Sequence, residues 1–68
     1  SIITEDDILE IELQDYARSL LKECVGDQKE RREYLYRIFE DEKINEYVRN
    51  NQIDDAKVYI DNLIRGLQ

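Results

Sequence analysis

The apolar residues of this chain recur every three or four positions and then change sides in the middle, and no other feature restricts its fold as much. Leu9, Leu13, Tyr16, Leu20 and Cys24 form one such series, and Ile53, Ala56, Ile60, Leu63 and Leu67 form another. That spacing places each series on one face of an amphipathic helix. In between, Tyr34, Leu35, Ile38 and Phe39 share one side of a helical wheel. After the polar run Glu40, Asp41, Glu42 and Lys43, the next group, Ile44, Tyr47 and Val48, lies nearly opposite. The middle segment therefore either breaks near residues 40–43 or shows apolar surface in two directions.

Local signals place the helix ends. Thr4 is a capping residue with Asp7 three positions on. Glu5, Asp6 and Asp7 put negative charge at the positive end of the helix dipole, and Ile3 and Ile8 stand where a hydrophobic staple would. The first helix is expected to run to about Val25, with Gly26 closing it in a left-handed conformation. Asp27 is expected to cap the second helix, with Glu30 three positions on and Glu33 and Arg37 as an i,i+4 pair. A break near Asp41 then gives a short third helix from about Glu42 to Asn50, whereas a continuous rod to Asn50 leaves three helices in all. Asn50, Asn51 and Gln52 form the next turn, and the last helix runs from Ile53 or Asp54 to Arg65, with Asp61 and Arg65 paired. No alternating pattern supports a strand. The expected fold is an all-α bundle of three to four helices over residues 1–68, a single domain and a piece of a larger protein. Its core is expected to be Leu9, Leu13, Tyr16, Leu20, Cys24, Leu35, Ile38, Ile60, Leu63 and Leu67.

A chain of 68 residues buries only about 60% of the surface its unfolded form exposes, so a core of this size leaves it marginally stable. One Cys and no His rule out a disulfide network and a zinc set, and leave a partner surface, a second copy of the chain or the rest of a longer protein as the missing contribution. The lone thiol also fits a reducing, intracellular compartment, cytoplasmic or nuclear. Seventeen acids against ten bases leave a net charge of −7, which repels nucleic acid and anionic membrane at long range. The charge is uneven: the first 15 residues carry six acids and no base, while Tyr16 to Phe39 is slightly positive.

Catalysis needs a poised acid, base or nucleophile in a concave site. Without His, and with Cys24 inside an apolar stripe, we expect no enzyme, no catalytic residues and no cofactor. The acids match no calcium loop, so no metal is expected. Ile11 lies off the core stripe between Glu10 and Glu12. With Ile2, Ile3 and Ile8 it is expected to form an exposed, acid-ringed strip that docks a protein partner with a basic groove, or a second copy. The competing reading is that the opposed face of the middle segment covers these isoleucines. A nucleic-acid surface is the alternative function: Lys29, Arg32, Tyr36, Lys43 and Tyr47 share one stripe if the middle helix is continuous, although Glu33 and Glu40 flank it.

The stretch Asp54, Asp55, Ala56, Lys57, Val58, Tyr59, Ile60, Asp61, Asn62, Leu63, Ile64, Arg65, Gly66, Leu67 resembles the closing helix of PWI domains, small helical modules of pre-mRNA splicing proteins. Asp7, Ile8, Leu9 and the run Lys29, Glu30, Arg31, Arg32 are also similar to a divergent PWI-like domain of a spliceosomal helicase. The chain has neither Pro nor Trp, so the tripeptide that names the family is absent. The resemblance implies a scaffold element of a ribonucleoprotein assembly, with protein rather than RNA as the partner.

Overall fold

The computed structural model describes residues 2–67 and contains four helices: α1 (Glu5–Cys24), α2 (Gln28–Phe39), α3 (Glu42–Arg49) and α4 (Ile53–Arg65). They form a small all-α bundle measuring 34 × 25 × 17 Å, with no strand among the described residues. The longest helix, α1, packs against all three others, and α3 packs against both α2 and α4. No helix among the described residues is long and apolar enough to cross a membrane.

The start of α1 forms as its residues dictate. The Asp7 N–H donates to Thr4 Oγ1 at 3.2 Å, and the Thr4 N–H donates back to Asp7 Oδ2 at 3.0 Å, a reciprocal capping box. That carboxylate sits below its ordinary pKa, held there first by the Thr4 backbone N–H and then by the hydroxyl. Ile3 and Ile8 stay largely exposed, so the staple positions shelter neither.

The end of α1 departs from expectation. Helix α1 stops at Cys24, Val25 is extended, and Gly26 does not take a positive φ. Val25 packs against the core, and Arg31 Nη1 donates to its carbonyl oxygen at 2.6 Å. In place of a left-handed glycine closure, the chain leaves α1 through an extended Val25 whose own carbonyl takes the guanidinium. Asp27 occupies the N-cap position of α2 without a side-chain hydrogen bond there. Arg37 lies over the Tyr34 ring at 5.9 Å, and among the described residues it makes no ion pair with Glu33.

The middle segment breaks, at Asp41, with neither Gly nor Pro. Asp41 is extended, and its Oδ1 accepts the Lys43 N–H at 2.9 Å as the N-cap of α3. The turn after α3 closes by paired backbone bonds, the Asn51 N–H to the Val48 carbonyl (3.0 Å) and the Gln52 N–H to the Tyr47 carbonyl (2.8 Å). This is a Schellman closure, and Asn51 supplies its left-handed residue with φ 57°.

The core contains Leu13, Ala17, Leu20, Leu21, Ile38, Ile44, Val48, Ala56, Ile60 and Ile64. Four of the ten expected core residues are among them: Leu13, Leu20, Ile38 and Ile60. Leu9, Tyr16, Cys24, Leu35 and Leu63 are half-buried against its edge, and Leu67 is 43% exposed. The break rotates Ile44 and Val48 inward, so the reversed face of the sequence packs into the same core as the faces around it.

Polar contacts bind the helices at the margin of this core. Tyr16 Oη donates to Asp61 Oδ2 at 3.3 Å, and Arg65 Nε donates to Asp61 Oδ1 at 2.6 Å. Tyr59 Oη donates to Asp41 Oδ2 at 2.5 Å, which fastens α4 to the α2–α3 joint. Lys57 Nζ lies 3.7 Å from Glu12 Oε2 and 5.5 Å above the Tyr16 ring.

Candidate functional site

Two surfaces are candidates, and both lie along α1. At its N-terminal end the four isoleucines singled out in the sequence remain in water: Ile2 is 90% exposed, Ile3 68%, Ile8 58% and Ile11 53%. Ile44 and Val48, which would have had to cover them, are in the core instead. Ile3 and Ile11 line one open groove of about 340 Å³ with Asp7, Glu10 and Gln14. Ile2 and Ile8 stand outside that groove, as further apolar surface beside it. Two isoleucines eight residues apart, with the carboxylates of Asp7 and Glu10 between them in the sequence, make an apolar furrow with an acidic rim.

The second surface is a trough between α1 and α2. Its wider part, about 530 Å³, is lined by Gln14, Arg18, Arg32, Leu35, Tyr36, Phe39 and Glu40. It continues past Arg18, Arg32 and Leu35 into a further 200 Å³ or so bordered by Lys22, Gln28 and Arg31. Four bases thus face one acid, in a chain whose net charge is −7. Leu35 and Phe39 give the trough a half-buried apolar floor, and Tyr36 stands at its edge, 69% exposed. Arg18 pairs with Asp15 at 3.0 Å. Both side chains are mostly exposed, so this pair contributes little and either side chain is free to exchange partners.

Of the stripe expected for nucleic acid, Arg32 and Tyr36 line the trough, and Lys29 is exposed on α2 outside its lining. Lys43 is separated from them by the break at Asp41. Its ammonium lies 5.9 Å over the Tyr47 ring and 5.8 Å over that of Tyr59, two rings that meet edge to face with centroids 6.0 Å apart. The condition for a single stripe, one continuous helix, is therefore not met. What the sequence reading missed is the contribution of α1: Arg18 and Lys22 enter the trough from the other helix, and Arg31 borders it next to Arg32. The i,i+4 spacing of Arg18 and Lys22 was the available signal, but only the packing of α2 beside them turns it into a trough.

Cys24 is half-buried against the core, and among the described residues no three His, Cys, Asp or Glu side chains come together as a metal-binding set. No family model, curated protein or solved structure matches this chain. Its functional reading rests on the two surfaces.

Proposed function

We propose that this chain is a non-enzymatic protein-interaction module that docks a protein partner, or a second copy of itself, through Ile2, Ile3, Ile8 and Ile11. The observation that carries this reading is the exposure of all four isoleucines together at one end of α1. An aliphatic strip left in water by a domain that buries ten other apolar residues is the usual mark of an interface. The rim of Asp7 and Glu10, with Glu5 and Asp6 in the first turn, fits a partner groove bordered by Lys or Arg, and the net charge of −7 steers such a partner inward. The likeness of α4 to the closing helix of PWI domains supports a scaffold role in a ribonucleoprotein assembly, and the single free thiol supports an intracellular setting, cytoplasmic or nuclear.

The test compares immobilised wild-type chain with the Ile11→Asp variant, once circular dichroism has shown that the two melt alike. Proteins, or added free chain, that are retained by the wild type in about 0.15 M salt and lost from the variant support the reading. An unchanged retained set, or a variant that no longer folds, overturns it.

The alternative is a nucleic-acid-associated domain, favoured by the gathering of Arg18, Lys22 and Arg31 beside Arg32 and Tyr36. The overall charge opposes it. Titrating a single-stranded oligonucleotide across salt concentrations separates the two: binding that collapses as salt rises marks phosphate contacts, and salt-tolerant capture of protein marks the apolar strip.

A further inference from the structure

The isoleucine groove and the basic trough lie end to end on one face of α1. At about 100° per residue, Asp7, Ile11, Gln14, Arg18 and Lys22 fall within an arc of about 80°. Gln14 lines both hollows. The charge reverses across it, with Asp7 and Glu10 before, and Arg18 and Lys22 after. Such a surface is complementary to itself turned end for end. At 1.5 Å per residue, Glu10 lies about 6 Å before Gln14 and Arg18 about 6 Å after it, while Asp7 and Lys22 lie about 10 and 12 Å away on either side.

The geometry points to a second copy of this chain as the occupant of the trough. Two molecules pair antiparallel along α1 about a two-fold axis at Gln14, each seating its isoleucine tip in the basic trough of the other. Glu10 of each copy then faces Arg18 of its partner, Asp7 faces Lys22, and Ile11 lies over the floor of Leu35 and Phe39. This rests on the docking reading of the isoleucine tip and names its partner. The −7 charge of each copy repels the other at a distance, but at about 0.15 M salt charges more than about 8 Å apart are largely screened, and opposed charges in contact are not. Because each contact occurs twice, the pairing uses both halves of the surface at once and closes at two copies.

Sedimentation equilibrium of the chain between roughly 1 μM and 1 mM, in about 0.15 M salt, tests the pairing. A monomer–dimer equilibrium without larger species is expected. Glu10→Lys and Arg18→Glu each set like charges opposite one another at both ends, and each is expected to weaken the dimer at least about tenfold. Combining the two in one chain restores it. An equimolar mixture of the two single variants does so too, because each supplies what the other lacks and they pair as a heterodimer. If either variant melts below the wild type, Lys22→Glu, which sets two acids opposite one another at Asp7, replaces it as a single reversal and is kept out of the combined and mixed pairs. Persistent monomer, a dimer indifferent to the reversals, or a mixture no tighter than its components overturns the pairing. A chain that stays monomeric but loses partner capture on Ile11→Asp overturns the self-pairing and leaves the docking reading standing. One that stays monomeric and whose capture ignores Ile11→Asp overturns both.

Discussion

Replacing Asp41 with Ala removes the residue that both caps α3 and fastens the α2–α3 joint to α4, and the geometry sets the size of the loss. Its Oδ1 caps α3 through the Lys43 N–H at 2.9 Å; losing such a cap costs about 1 kcal/mol. Its Oδ2 accepts from Tyr59 Oη at 2.5 Å. A hydrogen bond to a charged group contributes about 1.5–3 kcal/mol, but both side chains here are only half-buried, and solvent screening reduces the figure to about 1. The sum of roughly 2 kcal/mol is a large share of the roughly 3–10 kcal/mol that a domain this small has in all. At about 4–8 °C per kcal/mol it lowers the melting temperature by about 8–16 °C.

The assay is urea and thermal unfolding followed by far-ultraviolet circular dichroism, run as a cycle of Asp41→Ala, Tyr59→Phe and the double variant. Tyr59→Phe keeps the ring and removes only the hydroxyl with its hydrogen bond, so it is expected to cost about 1 kcal/mol and the coupling to come out at a similar size. Asp41→Asn keeps an acceptor for the cap and is expected to fall between the wild type and Asp41→Ala. Single effects that add to within about 0.3 kcal/mol would refute the link between α4 and the joint. An Asp41→Ala cost below about 0.5 kcal/mol would refute the role of Asp41 as both cap and clasp.

Ile44→Ala leaves a void where α3 meets the core, since Ile44 is 1% exposed, and is expected to cost about 2–5 kcal/mol in urea unfolding; a loss below 1 kcal/mol would mean that α3 does not dock as described. At Gly26 an added Cβ meets nothing within 4 Å and φ is not positive, so Gly26→Ala is expected to stabilise by about 0.4–1 kcal/mol through the unfolded chain; destabilisation would restore the left-handed cap. Asn51→Ala, at φ 57°, is expected to cost about 1 kcal/mol while Asn51→Gly costs little, read by the same melts. Alkaline titration of stability follows from the tyrosines. Burial, then the Asp61 charge, raises Tyr16, and the Asp41 hydrogen bond, then burial, raises Tyr59. The unfolded chain therefore releases these protons first, so urea midpoints are expected to hold up to about pH 10 and to fall above it. Asp7, being lowered, acts in the opposite sense: its contribution is present above about pH 4 and is lost as the pH falls below that.

Of the features encoded within four or five residues some were legible in the sequence and some were not: Asp27 makes no side-chain cap and, among the described residues, Glu33 does not pair with Arg37. The Thr4–Asp7 box, the turn at Asn51 and the Asp61–Arg65 pair formed as read. The break at Asp41 was one of two readings that the reversal of the apolar face between Phe39 and Ile44 left open, since no residue there forbids helix. What periodicity could not decide was the centre of each buried arc. Helix α4 offers two overlapping stripes, Ile53, Ala56, Ile60, Leu63, Leu67 and Ala56, Ile60, Ile64, and the second is the one fully buried. On α1 the arc shifts from Leu9, Tyr16 and Cys24 toward Ala17 and Leu21, because three neighbouring helices, not one, set which side is covered. The failure at Gly26 was of another kind. A glycine at a helix end is permission, not instruction, and the half-buried Val25 side chain, with Arg31 on its carbonyl, holds the backbone extended there. For the candidate surfaces, the isoleucines were legible as residues off the stripe, whereas the trough was not, because no spacing within one helix encodes a hollow between two.

The exposed tip and the trough have a common origin in unequal helix lengths. The 20 residues of α1 span about 30 Å and the 12 of α2 about 18 Å. The α1–α2 turn aligns them at the far end, where Arg31 meets Val25, so about 12 Å of α1 projects past Phe39 with nothing of α2 beside it. That projecting length carries Ile8 and Ile11, and where α2 does lie alongside, Arg32, Leu35 and Tyr36 close one wall of the trough. Inside one molecule the exposed isoleucines on this projection contribute little to stability. Docked, it contributes through mass action: a partner at one hundred times its dissociation constant adds about 2.7 kcal/mol, more than the whole Asp41 clasp. If that partner is a second copy, the melting temperature climbs with the concentration of the chain itself, and Ile11→Asp abolishes the climb without lowering the melt at high dilution. A melt that is independent of concentration, in a protein that still captures other proteins through Ile11, assigns the same overhang to a foreign groove.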